Sequence, residues 1–464
     1  MSAQNHINPM LELKAHIHKV YFIGVGGIGM SALARYFKSR NVEVSGYDRK
    51  ETNLTKQLSA EGIDIHYEEN IAYVPKNADV VIYTPAIAAT NKELLYCREN
   101  NYTVVKRSDV LQWITEQTFN ICVGGSHGKT TISTMIAHLL RDTKYGCNAF
   151  LGGVSANYNS NFWASEKNVS VIEADEYDRS FLKLSPDVAV VTAMDADHLD
   201  IYGTAKEVEN AYIQFALRVK TGGCLISKYG LKRGNELFAD NHLTYSLEDK
   251  NADAFSLNRK VINGAYHFDV SYKNQVTKDF ILNIGGLHNI ENAVAAIATA
   301  KYIGIEEEKI KIAIANFKGV KRRFEYYLNN DEHILIDDYA HHPEELNALI
   351  SGIRSLFTGK LTIVFQPHLY SRTNDMADDF AKSLDKADEV ILLPIYPARE
   401  LPMPGVTSDL ILQKMAISNK KILSKEDLLA TLRIEKPRLI AVCGAGDIDE
   451  LLFPIKDILE AKEQ

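Results

Sequence analysis

The sequence predicts an α/β protein of three domains: a Rossmann-like unit at the N-terminus, a central mixed α/β unit of the P-loop ATPase type, and a C-terminal Rossmann-like doubly wound sheet. Three observations carry this expectation. Two apolar runs each end in a glycine-rich loop that opens a helix, at Gly24 to Gly29 and at Gly124 to Thr131, and strand–loop–helix alternation restarts after Gly319. A chain of 464 residues exceeds one ordinary core. The expected domains are residues 1–116, 117–320 and 321–464.

Composition narrows the function classes. Hydrophobic residues make up 46% of the chain, the level of a globular protein. A formal net charge of −8 speaks against broad nucleic-acid binding, so an anionic ligand must be held by glycine loops and individual Lys or Arg residues. Small molecules are therefore the expected partners. Cys97, Cys122, Cys147, Cys224 and Cys443 form no CxxC pair and fit a reducing compartment. No stretch has the apolar run of a signal peptide or a membrane span, so a cytoplasmic protein without a membrane partner is expected.

Taken in order, Lys19 to Ile23 reads as a strand running into Gly24, Val25, Gly26, Gly27, Ile28 and Gly29. A helix bearing Leu33, Ala34, Tyr36 and Phe37 follows, and a second strand, Val42 to Ser45, ends near Asp48. Glycines for a tight turn and close approach of a pyrophosphate, then an acidic residue about 20 positions on, match the dinucleotide fingerprint. NAD, another pyrophosphate-containing nucleotide and a purely structural turn all remain open, because backbone N–H groups recognise pyrophosphate whatever is attached to it. A third strand, Val80 to Thr84, leads into Pro85, Ala86 and Ile87, at the strand ends where open sheets usually bind ligands.

The second glycine loop carries more chemistry. Ile121 to Val123 reads as a strand, and Ile132, Met135, Ile136, Leu139 and Leu140 recur at helical spacing. Between them, Gly124, Gly125, Ser126, His127 and Gly128 let the backbone curl inward, Lys129 adds a positive charge, and Thr130 and Thr131 stand at the helix start. That is a nest for a polyphosphate and its Mg²⁺. It is one residue shorter than the general P-loop pattern. Further on, an expected strand from Val169 to Ile172 delivers Glu173, Asp175, Glu176 and Asp178, and another, Val188 to Thr192, leads to Asp195, Asp197, His198 and Asp200. Carboxylates at a strand end beside a phosphate loop suit Mg²⁺; a solvated acidic loop is the competing reading. His198 is equally a metal ligand or a satisfied loop histidine on this basis.

Residues 240–263 read as loops and hairpins. Before an alanine-rich helix, Ala293 to Tyr302, Asn292 is either its N-cap or an adenine-recognising amide. After Gly319, a strand from Ile334 to Ile336 leads to Asp337, Asp338, Tyr339, His341 and His342; later strand ends bring His368, Tyr370 and Arg372, then Gly444 to Asp447. Three polar loops at one edge of a sheet read as a site.

The order of these motifs resembles the Mur ligases of bacterial peptidoglycan synthesis. The matching stretches are GVGGIGMSALA at Gly24 to Ala34, GGSHGKTT at Gly124 to Thr131, EADEYD at Glu173 to Asp178, DADHLD at Asp195 to Asp200, HNIEN at His288 to Asn292, RRFE at Arg322 to Glu325, DDYAHHPEE at Asp337 to Glu345 and FQPHLYSRT at Phe365 to Thr373. The shortened phosphate loop is itself the family's form. The resemblance implies that the first glycine loop binds the UDP of UDP-N-acetylmuramate through Gly26, Gly27, Ile28 and Gly29, with Asp48 toward uridine and Thr84, Ala86 and Ile87 toward the sugar. It implies ATP and Mg²⁺ as cofactors and L-alanine as the amino acid joined to the lactyl carboxylate through an acyl phosphate. Lys129 would bridge the β- and γ-phosphates; Thr130, Glu173 and His198 would hold metal; Asn289, Asn292, Arg323 and Asp338 would meet the nucleotide; Tyr339, His341 and Arg372 would receive alanine. Two departures stand out: Leu369 where the family stretch usually has an arginine, and Ala193–Met194 where an asparagine is usual. The alternatives are a recycling ligase that joins a tripeptide to the same sugar, an NAD-dependent oxidoreductase, which leaves the phosphate loop without a role, and an ATP-gated binding protein.

Overall fold

The computed structural model describes residues 17–195, 198–398 and 400–461. The N-terminal stretch and Asp197 of the acidic motif lie outside the described residues. Three sheets are present, one in each expected region, and the fold class is the one expected.

The first sheet is all parallel, with β1 (Lys19–Ile23), β2 (Glu43–Tyr47), β3 (Asp64–His66), β4 (Val80–Tyr83) and β5 (Val104–Lys106) in the order β3-β2-β1-β4-β5. The chain reverses direction of travel across the sheet between β1 and β4, so their C-terminal ends frame a crevice. The Gly24 loop and the Thr84 loop meet there: a Cβ built at Gly24 would lie 3.0 Å from Thr84 Cγ2.

The middle sheet has ten strands: β6 (Phe119–Gly124), β7 (Asn148–Ser155), β8 (Ser160–Trp163), β9 (Val169–Glu173), β10 (Val188–Val191), β11 (Cys224–Lys228), β12 (Asn241–Ser246), β13 (Ala254–Ile262), β14 (Ala265–Tyr272) and β15 (Gln275–Leu282). Their order is β15-β14-β13-β12-β11-β10-β6-β9-β7-β8. The region read as loops and hairpins thus supplies two full strands. Their alternation, with Leu243 and Tyr245 inside and polar neighbours outside, is that of a sheet wet on one face. What positions the site is the placement of β6 between β10 and β9: the phosphate loop leaves the sheet flanked by Glu173 on one side and Thr192 on the other. The following helix, Lys129–Asp142, buries Ile132, Met135, Ile136, Leu139 and Leu140 as their spacing predicts. Each such side chain contributes about 1.5–3 kcal/mol of transfer free energy.

The third sheet runs β16-β17-β21-β18-β19-β20, from β16 (Glu325–Asn329), β17 (Ile334–Asp338), β18 (Leu361–Phe365), β19 (Glu389–Leu392), β20 (Lys420–Ile422) and β21 (Leu439–Cys443), with only β16 antiparallel. Because β21 inserts between β17 and β18, the three polar loops expected at one edge do converge. Gly444 N donates to Asp338 O at 3.2 Å, and the His341 and His368 rings stand 6.0 Å apart. One apolar cluster runs unbroken from the middle sheet into this domain through Ile284, Ile290, Phe324 and Leu349.

Candidate active site

The phosphate loop is built by two glycines with backbone angles that L side chains resist. Gly125 has φ 142°, and a Cβ there would lie 2.0 Å from Thr192 Oγ1; Gly128, at φ 80°, caps the helix beside Asn292 Oδ1. The loop is pinned from β10: Thr192 donates its hydroxyl to His127 O, Ser126 N donates to Ala193 O at 3.3 Å, and Asp195 N donates to Ser126 Oγ at 2.9 Å. The helix N-terminus, with its positive end, points into the concavity.

Lys129 folds over this loop, its Nζ 2.6 Å from Gly125 O and 2.7 Å from Glu176 Oε1. Glu176, one of the four carboxylates expected beside the phosphate loop, is a buried partner of this lysine. Its other oxygen, Oε2, is buried without a hydrogen-bond partner among the described residues, and His198, at φ 51°, stands 3.7 Å from Oε1. Glu173 closes the opposite side: it accepts from Thr130 Oγ1 at 3.0 Å, Gly152 N at 2.9 Å and Ser133 Oγ at 3.4 Å. Burial pushes its carboxyl up while the Lys129 charge pulls it down. A Cβ at Gly152 would lie 2.2 Å from Glu173 Oε1, so that glycine is required for room.

This donor set fits Mg²⁺ in one form. Mg²⁺ is usually held by one or two carboxylates together with substrate phosphates and water. The Thr130 hydroxyl and Glu173 carboxylate beside the phosphate nest meet that description. The expected third ligand, His198, is placed beside Glu176 instead, and among the described residues no group of three His, Cys, Asp or Glu side chains converges as a metal site. Thr130 and Glu173 are brought together, and His198 stands apart from them beside Glu176.

At the first glycine loop, Asp48 turns inward and accepts the Gly26 N–H at 2.7 Å, while Gly27 N donates to Gly24 O at 3.3 Å. Of the four amides expected to meet pyrophosphate, those of Gly26 and Gly27 are thus committed within the loop. Ile28 and Gly29 open the helix Ile28–Ser39, where N–H groups lack intrahelical acceptors. A cavity of about 300 Å³ lies over them, lined by Thr84, Ala86, Arg107, Asp175 and Tyr177. Arg107, absent from the sequence reading, donates to Asp175 at 2.7 Å, and a Cβ at Gly29 would lie 2.1 Å from its Nη1. A second cavity of about 180 Å³ shares Ile28, Gly29, Arg107 and Asp175 and ends on Gly152 and Glu173. A groove therefore runs from the first loop to Glu173, the carboxylate that accepts from Thr130 at the end of the phosphate loop.

On the other side of the phosphate loop, a cavity of about 170 Å³ is lined by Gly128, Thr131, Asn289, Asn292, Arg323 and Tyr339, with His288 and Asp338 also on its wall. Asn292 is not an N-cap: the helix spans Leu287–Tyr302 and is capped by Gly286. Its Nδ2 donates to Asn289 Oδ1 at 3.0 Å and Asn289 Nδ2 to Gly285 O at 2.6 Å, which turns Asn292 Oδ1 toward Gly128. The Arg323 charge acts on Glu173, His288 and Asp338 alike. Both Asp338 oxygens are taken by backbone amides, Phe324 N at 2.7 Å and Ala340 N at 2.8 Å, and burial pushes its carboxyl up to about 6. Asp338 and Asp337 lie inside β17 and not in the loop after it.

The residues expected at alanine form a cluster at the edge of this cavity. The Tyr339 ring is exposed, His341 Nδ1 lies 2.9 Å from Tyr339 O, and Arg372 Nη1 lies 3.5 Å from His368 Nδ1. Burial pushes both histidines below their ordinary value, so they are neutral at pH 7. Arg372 is left as the cluster's cation.

Behind this edge, Asp337 is fully buried, with neither oxygen hydrogen-bonded and Arg322 Nε 3.5 Å away; burial pushes its carboxyl up to about 8. A carboxyl raised above its unfolded value contributes stability that is complete below the unfolded pKa and is lost as pH rises toward the folded one. For Asp337 that window runs from 3.8 to about 8. Asp337→Asn should therefore melt progressively higher than the parent chain between pH 5 and pH 8, the difference levelling off above. Thermal unfolding across that range checks this; a pH-independent difference would contradict a protonated Asp337.

Three sheets with one phosphate loop between flanking cavities define an α/β phosphate-loop architecture, and comparison with known proteins gives its family. The Mur ligase family, catalytic domain, matches residues 19–118; the Mur ligase middle domain matches 123–300; and the Mur ligase, glutamate ligase domain, matches 322–447. The chain belongs to the Mur ligase family. A UDP-N-acetylmuramate–L-alanine ligase of Porphyromonas gingivalis is 47% identical over 451 residues, covering 95% of this chain and 99% of its own. The protein of that name from Flavobacterium johnsoniae is 48% identical, covering 96% and 98%. The crystal structure of a UDP-N-acetylmuramate-alanine ligase from Thermotoga maritima superposes with a TM-score of 0.79 at 26% identity, over 96% of this chain and 99% of that one.

Proposed function

We propose that this protein is an enzyme that uses ATP to join L-alanine to the lactyl carboxylate of UDP-N-acetylmuramate, releasing ADP and phosphate, in the cytoplasmic synthesis of peptidoglycan precursors. The observation that supports the reading is the groove from Gly29 to Glu173, the carboxylate that accepts from Thr130 beside the second nucleotide loop. A sugar nucleotide anchored on the Ile28 and Gly29 amides has its far end directed at the phosphate loop. The choice of alanine rests on relatives of that name at 47% and 48% identity over nearly the whole chain.

The chemistry then follows from charge. A carboxylate and a γ-phosphate repel each other, so the site must align them and neutralise their charge. Gly124 to Thr131 cradle the phosphates, and Lys129 bridges the β- and γ-positions. Asn289, Asn292 and Arg323 hold the nucleotide from the other side, with Asp338 keeping the Arg323–Phe324 turn in place. A Mg²⁺ held by Thr130 and Glu173 would supply further positive charge to the phosphates. The lactyl carboxylate oxygen bonds to γ-phosphorus as ADP leaves, giving an acyl phosphate. The alanine amine, held through its carboxylate by Arg372 with Tyr339 and His341 alongside, attacks the acyl carbon; it loses a proton and phosphate departs.

Phosphate release by the purified protein with ATP, Mg²⁺ and UDP-N-acetylmuramate tests the proposal. Release should require both UDP-N-acetylmuramate and L-alanine. Release with the tripeptide and none with alanine would overturn the substrate assignment.

A further inference from the structure

The helix that carries Arg372, Tyr370–Leu384, starts against local rules. Its N-cap is Leu369, which has no side-chain acceptor and sits at φ 73°. A helix start is normally capped by a short polar side chain that accepts a first-turn N–H, and a branched side chain at positive φ is strained. The acceptor is supplied from elsewhere in the chain. Glu400 accepts the Ser371 N–H at 2.9 Å through one carboxylate oxygen and the Ser371 hydroxyl through the other. Those bonds hold its carboxyl below the usual range, so the group is anionic at the positive end of the helix.

A second tie runs through Tyr396. Its carbonyl accepts Leu369 N–H at 3.0 Å, its own N–H donates to Pro367 O at 2.8 Å, and its ring stacks on His368 with centroids 5.8 Å apart. Tyr396 and Glu400 thus clamp the two sides of the strained Leu369. Arg372 is the next residue after Ser371, and its guanidinium reaches back to His368. With leucine at 369, this stretch offers one guanidinium, whose direction is set by the first turn of its helix.

We propose that Glu400 is a positioning residue for amino-acid recognition: it caps the Arg372 helix from outside that helix and so fixes the aim of the guanidinium at the substrate carboxylate. The proposal rests on reading Arg372 as the carboxylate's partner. With its first turn left uncapped the helix no longer holds the guanidinium in one direction, so Glu400→Ala should raise the KM for L-alanine by about tenfold. The kcat at saturating alanine and the KM values for ATP and UDP-N-acetylmuramate should stay within about twofold, a split that general loosening of the domain would not give. Glu400→Gln should recover most of the loss, because a carboxamide oxygen still accepts the Ser371 N–H. Ser371→Ala removes one of the two bonds and serves as the milder variant if Glu400→Ala unfolds.

The discriminating measurement is the double variant. If Glu400 acts through Arg372, adding Glu400→Ala to Arg372→Ala should change the alanine KM by less than about twofold. A full tenfold rise on that background, or an unchanged KM in Glu400→Ala alone, would overturn the proposal. An unchanged alanine KM in Arg372→Ala would instead sink the reading of the amino-acid site on which it rests.

Discussion

Lys129→Ala is expected to lower kcat by roughly a thousandfold, the scale on which a single preorganised electrostatic contact to a developing charge acts. Stability should fall as well. Lys129 and Glu176 are 15% and 3% exposed, and their contact at 2.7 Å is the only hydrogen bond of the Glu176 carboxylate among the described residues. Breaking a buried pair by removing one partner typically costs about 3–5 kcal/mol, because the other charge stays buried. The two effects are separable. In Lys129→Ala with Glu176→Gln, the carboxylate left alone is gone, so thermal stability should largely return while turnover stays lost. Near-normal kcat in a folded Lys129→Ala chain would mean that the phosphate loop does not act on ATP as proposed.

Glu176 also shows where reading from residues stopped. The glycine loops and helical periods were legible because each is set by a local rule: no side chain fits at Gly125, and Ile132 to Leu140 repeat at the helical period. In Glu173 to Asp178, four carboxylates fall within six residues, and nothing local says which one turns inward. Glu176 precedes a kinked turn in which Asp178 and Arg179 both adopt φ 55°, and its carbonyl is held from afar by the Tyr202 hydroxyl at 2.7 Å. Arg107 escaped notice for a related reason, since its partners Gly29 and Asp175 lie in two different domains. Of the two readings of Asn292 the N-cap falls, because the helix begins earlier, after Gly286, whose φ of 91° only glycine adopts readily. Strands β12 and β13 read as loops and hairpins because their outward positions are polar and resemble loop composition. The loops therefore located the site, while the ion pairs that tension it are tertiary facts.

Glu173→Gln should lower kcat by about a hundredfold or more and weaken divalent-metal binding in the nucleotide complex. A carboxylate accepts on both oxygens, and here each is used: Oε1 faces Thr130 Oγ1 at 3.0 Å and Oε2 faces Gly152 N at 2.9 Å. A carboxamide accepts on one side only, so its NH₂ must oppose a donor. The variant loses a negative charge and also misaligns the Thr130 hydroxyl, both proposed metal contacts. Metal binding gives a readout independent of turnover: Mn²⁺ titrated into the ATP complex and followed by electron paramagnetic resonance should bind at least about tenfold more weakly, a loss near 1.4 kcal/mol. Unchanged Mn²⁺ affinity would remove Glu173 from the metal site, and with it the fit of Thr130 and Glu173 as a pair. His198→Ala supplies the contrast. Because His198 stands beside Glu176, its loss should disturb Mn²⁺ affinity less than Glu173→Gln does, and the reverse order would put His198 ahead of Glu173 in holding the metal.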